Sequence, residues 1–141
     1  APAFKGKRDD SGLEEKLLRV EEELAEGPMT ELYLKRGRLR LRGGSLLKAL
    51  GDFSRSVDDD GSPQPESLMY RSQAFFLMGK PLFALDDLIE CPEDHKYPAI
   101  FYLHKVTLVT MAKQIAANAR KRGLEEYALL FEKRLESLKD K

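Results

Sequence analysis

The chain has 141 residues, of which 42% are hydrophobic and 34% charged, and its 24 Lys and Arg balance 24 Asp and Glu to a net charge of zero. That is one domain's worth of sequence with enough apolar material for a core, which excludes disorder throughout and removes the global positive field of a dedicated nucleic-acid binder. A single cysteine, Cys91, excludes an intramolecular disulfide and points to the cytoplasm or another reducing intracellular compartment.

Residues 1–10 contain no long apolar segment and no initiator Met, so they read as a flexible segment, not a signal peptide, on a processed or excised chain. A first helix is predicted over 13–26, where Leu13, Leu17, Val20 and Leu24 make one stripe among glutamates. Ser11, three residues before Glu14, has capping-box spacing, and Gly27-Pro28 stops the helix. A second helix runs from Thr30 to Arg42 ahead of Gly43-Gly44, and a third, with Ser45 as its cap, from Leu46 to Val57. An acidic turn, Asp58-Asp59-Asp60-Gly61-Ser62-Pro63, then breaks the pattern. The fourth helix spans 65–78, with Pro65 in its first turn and Gly79 at its end, and the fifth spans 81–91. The sixth, 98–121, is the longest. Its apolar part, 99–112, is interrupted by His104 and Lys105 and falls short of the roughly 18 residues of a membrane span. Gly123 separates it from a seventh helix over 124–138, and no alternating strand pattern appears.

This string repeats. Gly37, Gly44, Ala49, Phe53 and Ser56 recur as Ser72, Gly79, Ala84, Leu88 and Cys91, each 35 residues later. A period of that length indicates helix-turn-helix units that bury their faces by stacking on neighbours. Gly37 and Ser72 sit mid-helix, where a tiny side chain lets another helix approach. Gly44 and Gly79 turn the chain. Ala49 and Ala84 serve close packing, and Phe53 and Leu88 fill the volume beside them.

The stretch Leu32-Tyr33-Leu34-Lys35-Arg36-Gly37 with Gly44, Ala49-Leu50, Asp52-Phe53 and Ser56 resembles one tetratricopeptide repeat (TPR). Leu68-Met69-Tyr70-Arg71-Ser72 with Gly79, Ala84-Leu85 and Asp87-Leu88 resembles the next. The resemblance implies an all-α, TPR-like superhelix of antiparallel helix pairs. Its parts are a capping helix at 11–27, repeats at 30–61 and 65–96, and a divergent long pair at 98–139, together one domain over 11–141. Arg40 stands where the family usually places an aromatic residue or leucine. The family also implies a non-catalytic adaptor or scaffold, with a concave groove lined by the first helix of each pair and open to an acidic or extended peptide. On this chain the groove face carries Leu34, Lys35, Arg38 and Arg42, then Met69, Tyr70, Gln73 and Phe76, then His104 and Lys105. The Lys and Asn clamp of chaperone-binding members is not matched, since Leu34, Arg38 and Tyr70 occupy the corresponding places and only Lys105 offers a basic group near an expected one, which disfavours a heat-shock co-chaperone.

Two other readings compete. The leucine stripe of the first helix offers a self-association surface, which would make the chain an assembly or dimerisation element. The basic run 35–42 offers phosphate contacts, but helical geometry puts Lys35, Arg38 and Arg42 on one side and turns Arg36 and Arg40 away, which disfavours nucleic acid. Cys91, His95 and His104 are too few for a zinc site, and the acidic turn lacks the alternating ligands of a calcium loop. No phosphate-cradling glycine loop, nucleophile elbow or supported acid pair is present, so neither an enzyme nor a cofactor is expected. Asp86 and Asp87 read as surface residues in local ion pairs.

Overall fold

A computed structural model describes residues 10–27, 29–58, 64–92 and 96–139. Among them the chain is 87% helical, with seven helices and no strand. These are α1 (Asp10–Glu26), α2 (Thr30–Arg42), α3 (Leu46–Asp58), α4 (Pro65–Leu77), α5 (Pro81–Glu90), α6 (Pro98–Lys121) and α7 (Glu125–Lys139). The helix stop at Pro28, most of the acidic turn, His95 and the segment 1–9 lie outside the described residues. α1 begins at Asp10, so Ser11 falls inside its first turn. Proline occupies the first turn of α4, α5 and α6, where its missing N–H has no helical partner to lose.

Three turns join α2 to α3, α4 to α5 and α6 to α7, and all are built the same way. Gly44, Gly79 and Gly123 have φ of 86°, 75° and 77°, a region in which a side chain is strained. At each, the glycine N–H bonds back to the third residue before it (Leu41, Phe76, Arg120) and the next N–H bonds to the carbonyl of Arg40, Phe75 or Ala119. This is the doubly bonded left-handed helix stop. The helices it joins are antiparallel, because side chains equally far from the glycine meet: Arg36 and Asp52 flank Gly44, and Arg71 and Asp87 flank Gly79.

The third hairpin follows the same register once counted from its own glycine. Gly37, Ser72 and Ala116 each lie seven residues before the turn, and Ala49, Ala84 and Ala128 five residues after it. All six are buried. At the first of these places a Cβ on Gly37 would lie 2.6 Å from Phe53 Cε1, so the missing side chain is what lets α2 and α3 close. α2, α4 and α6 all stop two residues short of the glycine, so the greater length of α6, 24 residues against 13, lies at its N-terminal end.

Each hairpin packs on the next, with α3 on α4, α5 on α6, and α7 back on α5. The core runs through the stack from Phe53 past Leu68, Met69, Leu85 and Leu88 to Leu108 and Phe131. α1 packs on α2 alone, with Val20 buried, Leu13, Leu17 and Leu24 half-buried, and Leu18 exposed. A Cβ on Gly43 would lie 2.7 Å from Leu13 Cδ2, so Leu13 fills the notch left by that glycine.

Candidate partner-binding face

Helical geometry sorts the basic run 35–42 into two sets. Asp52, 3% exposed on α3, accepts hydrogen bonds from Arg36 Nε and Nη2 at 3.0 and 2.8 Å and from Arg40 Nη1 at 3.0 Å. Arg40 also reaches Glu21 of α1 at 3.7 Å. The charge of Arg40 is therefore compensated by a buried carboxylate. The bond to Asp52 raises the Arg36 pKa further, which fixes its charge. Lys35, Arg38 and Arg42 point elsewhere and form no ion pair with a described residue.

Arg38 is held by aromatic rings. Its guanidinium carbon lies 5.2 Å from the ring centre of Tyr70 and 5.3 Å from that of Tyr97. The two tyrosines meet edge to face, and Tyr70 stacks on Phe53 at 5.9 Å. Burial raises the Tyr70 pKa above 10.0, partly opposed by the Arg38 charge. Lys96 Nζ lies 5.7 Å from the centre of the Tyr97 ring. Lys35 and Arg42 are exposed one turn before and one turn after Arg38, and Leu34 is half-buried against the core.

Three expected contact residues are placed differently. Met69 is fully buried, Tyr70 is 7% exposed and His104 is 8% exposed, so Met69 and His104 present no surface to a partner and Tyr70 only an edge. The cause is the position of α4, which is packed by α2, α3, α5 and α6 at once. A helix enclosed on several sides buries consecutive residues, here Ser67, Leu68, Met69 and Tyr70, and has no single outward face. Gln73 is half-buried and donates its amide to the Met69 sulfur at 3.7 Å. Asp87 is also buried. It pairs with Arg71 across the hairpin at 2.7 Å, and Asp86 reaches Arg134 on α7 at 2.7 Å, so neither pair is local.

Phe76 sets its ring edge-on to His104 at 5.9 Å. Ser72 Oγ donates to the Ala84 carbonyl at 2.7 Å and lies 2.8 Å from His104 Nε2. With its proton committed to Ala84, the serine accepts from Nε2–H, which assigns the neutral tautomer protonated at Nε2. Burial lowers the His104 pKa from 6.5 to about 4. This Ser-His contact has the wrong polarity to activate a nucleophile, since the imidazole donates to the hydroxyl instead of accepting its proton. It is a buried polar tie among α4, α5 and α6.

Lys105 lines a different surface, a cleft of about 330 Å³ between α6 and α7. The structure thus sets Arg38 on Tyr70 with Lys35 and Arg42 a turn away on the same helix, and puts Lys105 in the α6–α7 cleft. Sequence reasoning missed Tyr97 and Lys96, which lie just ahead of the proline that opens α6 and read as linker. An aromatic residue next to a helix-starting proline was the available signal. Among the described residues no three His, Cys, Asp or Glu side chains converge on a metal position, and no helix is long and apolar enough to cross a membrane. No protein-family model, curated protein or solved structure matches this chain.

Proposed function

We propose that the chain is a non-catalytic protein-interaction module, a TPR-like superhelix whose α2 face receives an acidic or extended segment of a partner protein. The observation that carries this reading is the division of one basic run. Asp52 engages Arg36 and Arg40, while Lys35, Arg38 and Arg42 form no ion pair with a described residue and Arg38 lies over two tyrosine rings. Uncompensated cations next to aromatic surface combine long-range attraction for carboxylates with a short-range apolar contact. Packing against Tyr70 and Tyr97 pre-sets the Arg38 guanidinium, which lowers the ordering cost of each bond it donates.

The test is affinity capture from cell extract with the intact chain and with a Lys35→Glu/Arg42→Glu variant, the captured proteins being compared by mass spectrometry. Both positions are exposed and outside the packing, so the circular dichroism spectrum of the variant is expected to match that of the parent. Partners held by the parent and lost by the variant are the expected result. Identical capture by the two forms refutes the α2 face.

A further inference from the structure

Among the described residues, no helix lies over the outer side of the N-terminal part of α6. By the mirror relation within each hairpin, Lys139 near the end of α7 is level with Thr107, so 98–106 run past the end of α7. The inner side of this overhang, Phe101 and His104, is buried. Its outer side leaves Tyr102 69%, Leu103 68% and Val106 44% exposed. The same line continues into the α6–α7 cleft, where Val109, Leu135 and Leu138 are bordered by Lys105, Lys113 and Lys139. These lysines form no ion pair with a described residue, and α6 contains no carboxylate at all.

The chain itself contains a precedent for covering such a surface. α2 carries five Lys and Arg against one Glu, and it is covered by α1, a leucine-striped helix rich in glutamate. There Val20 is buried in the contact, Leu13 fills the notch at Gly43, and Glu21 reaches Arg40. The C-terminal part of α6 is covered in the same way by α7, whose Glu125 and Glu132 pair with Arg120, but among the described residues no acidic helix lies on its N-terminal overhang. We propose that the groove formed by the α6 overhang and the α6–α7 cleft docks an acidic amphipathic helix of a partner protein. Its apolar stripe seats on Tyr102, Val106 and Leu135, and its carboxylates meet Lys105 and Lys113. Those lysines are eight residues apart, about 12 Å along a helix, which matches carboxylates seven or eight positions apart on the docked helix.

The probe is a fluorescein-labelled, end-capped peptide of residues 10–26, an acidic leucine-striped helix of the required kind. Its binding to the intact chain is followed by anisotropy at low salt. The tethered α1 keeps its own seat on the Arg40 side of α2 occupied against the free peptide, and the Lys35→Glu/Arg42→Glu variant reports on the open side. Saturable binding is expected, weakened at least tenfold by Lys105→Glu/Lys113→Glu, weakened similarly by Tyr102→Ser/Val106→Ser, and unaffected by Lys35→Glu/Arg42→Glu. Circular dichroism checks that each variant is folded. Absence of binding overturns the proposal, as does equal binding by the α6 variants. Loss through the α2 variant would assign acidic ligands to the α2 face alone. Sedimentation equilibrium adds a further check: if the chain is a dimer that Tyr102→Ser/Val106→Ser converts to a monomer, the stripe belongs to a second copy and the proposal falls.

Discussion

Replacing His104 with glutamine tests the buried polar tie, because glutamine keeps an N–H donor for Ser72 and removes the titrating ring. In the unfolded chain the imidazole takes up a proton near pH 6.5, whereas burial holds it neutral in the fold to about pH 4. Above 6.5 both states are neutral and the residue contributes nothing to pH dependence. Between 6.5 and 4 the unfolded state binds more protons, so stability is lost as pH falls through that window. Worked from those two values, the native protein loses about 2 kcal/mol between about pH 7 and pH 5, and about 3 kcal/mol in the low-pH limit. Urea denaturation at a series of pH values, on the parent and on His104→Gln, gives the quantity as a difference. Every other ionisable group is common to the two proteins, so its contribution cancels in the difference. The stability difference between the two is expected to shift by about 2 kcal/mol over that interval, the native protein losing ground. Parallel curves would refute the reasoning, and so would an NMR titration in which the His104 imidazole, identified as the resonance missing from His104→Gln, has a midpoint near 6.5.

A Cβ placed on Gly37 meets the buried Phe53 ring at 2.6 and 2.8 Å, so Gly37→Ala is expected to cost about 1–2 kcal/mol even after the gain in helix propensity. Gly51 has nothing within 4 Å on the exposed side of α3, and Gly51→Ala is expected to stabilise by about 0.5–1 kcal/mol. Urea midpoints in the reverse order would contradict the packing at Gly37. Asp52→Ala strands two largely buried arginines and is expected to cost about 2–4 kcal/mol by the same assay. Glu132→Ala, which removes an exposed partner of Arg120, is expected to leave the melting temperature within error of the parent.

Most of the helix boundaries were legible because the stops are chemical. A glycine that accepts positive φ ends α2, α4 and α6, and a proline opens α4, α5 and α6. The paired small residues of the first two hairpins were legible for the same reason. The third was missed, because the period was counted from the previous repeat. The lengthened α6 puts Gly123 44 residues after Gly79, and only counting from Gly123 brings Ala116 and Ala128 into line. The candidate face was read less well. Periodicity separates the two sides of a helix with one buried face, and it sorted Lys35, Arg38 and Arg42 from Arg36 and Arg40 correctly. It fails for α4, where tertiary contacts on several sides bury Met69 and Tyr70 together. The bare outer side of the α6 overhang was equally hidden, because periodicity does not say which apolar side of a helix its neighbours cover.

Every helix touches only helices one or two places away along the chain, and α1 touches a single neighbour. Contacts so close in sequence make for a low contact order and rapid closure of each hairpin. They also make opening directional. α1 can detach without breaking any other interface, while α4 is released only after its four neighbours. Native-state hydrogen exchange is therefore expected to be graded along the sequence, fastest in α1 and slowest around Ala74 and Leu85. A protease with sites in every helix would trim the chain from its N-terminal helix inward, leaving the central hairpin as its most durable fragment.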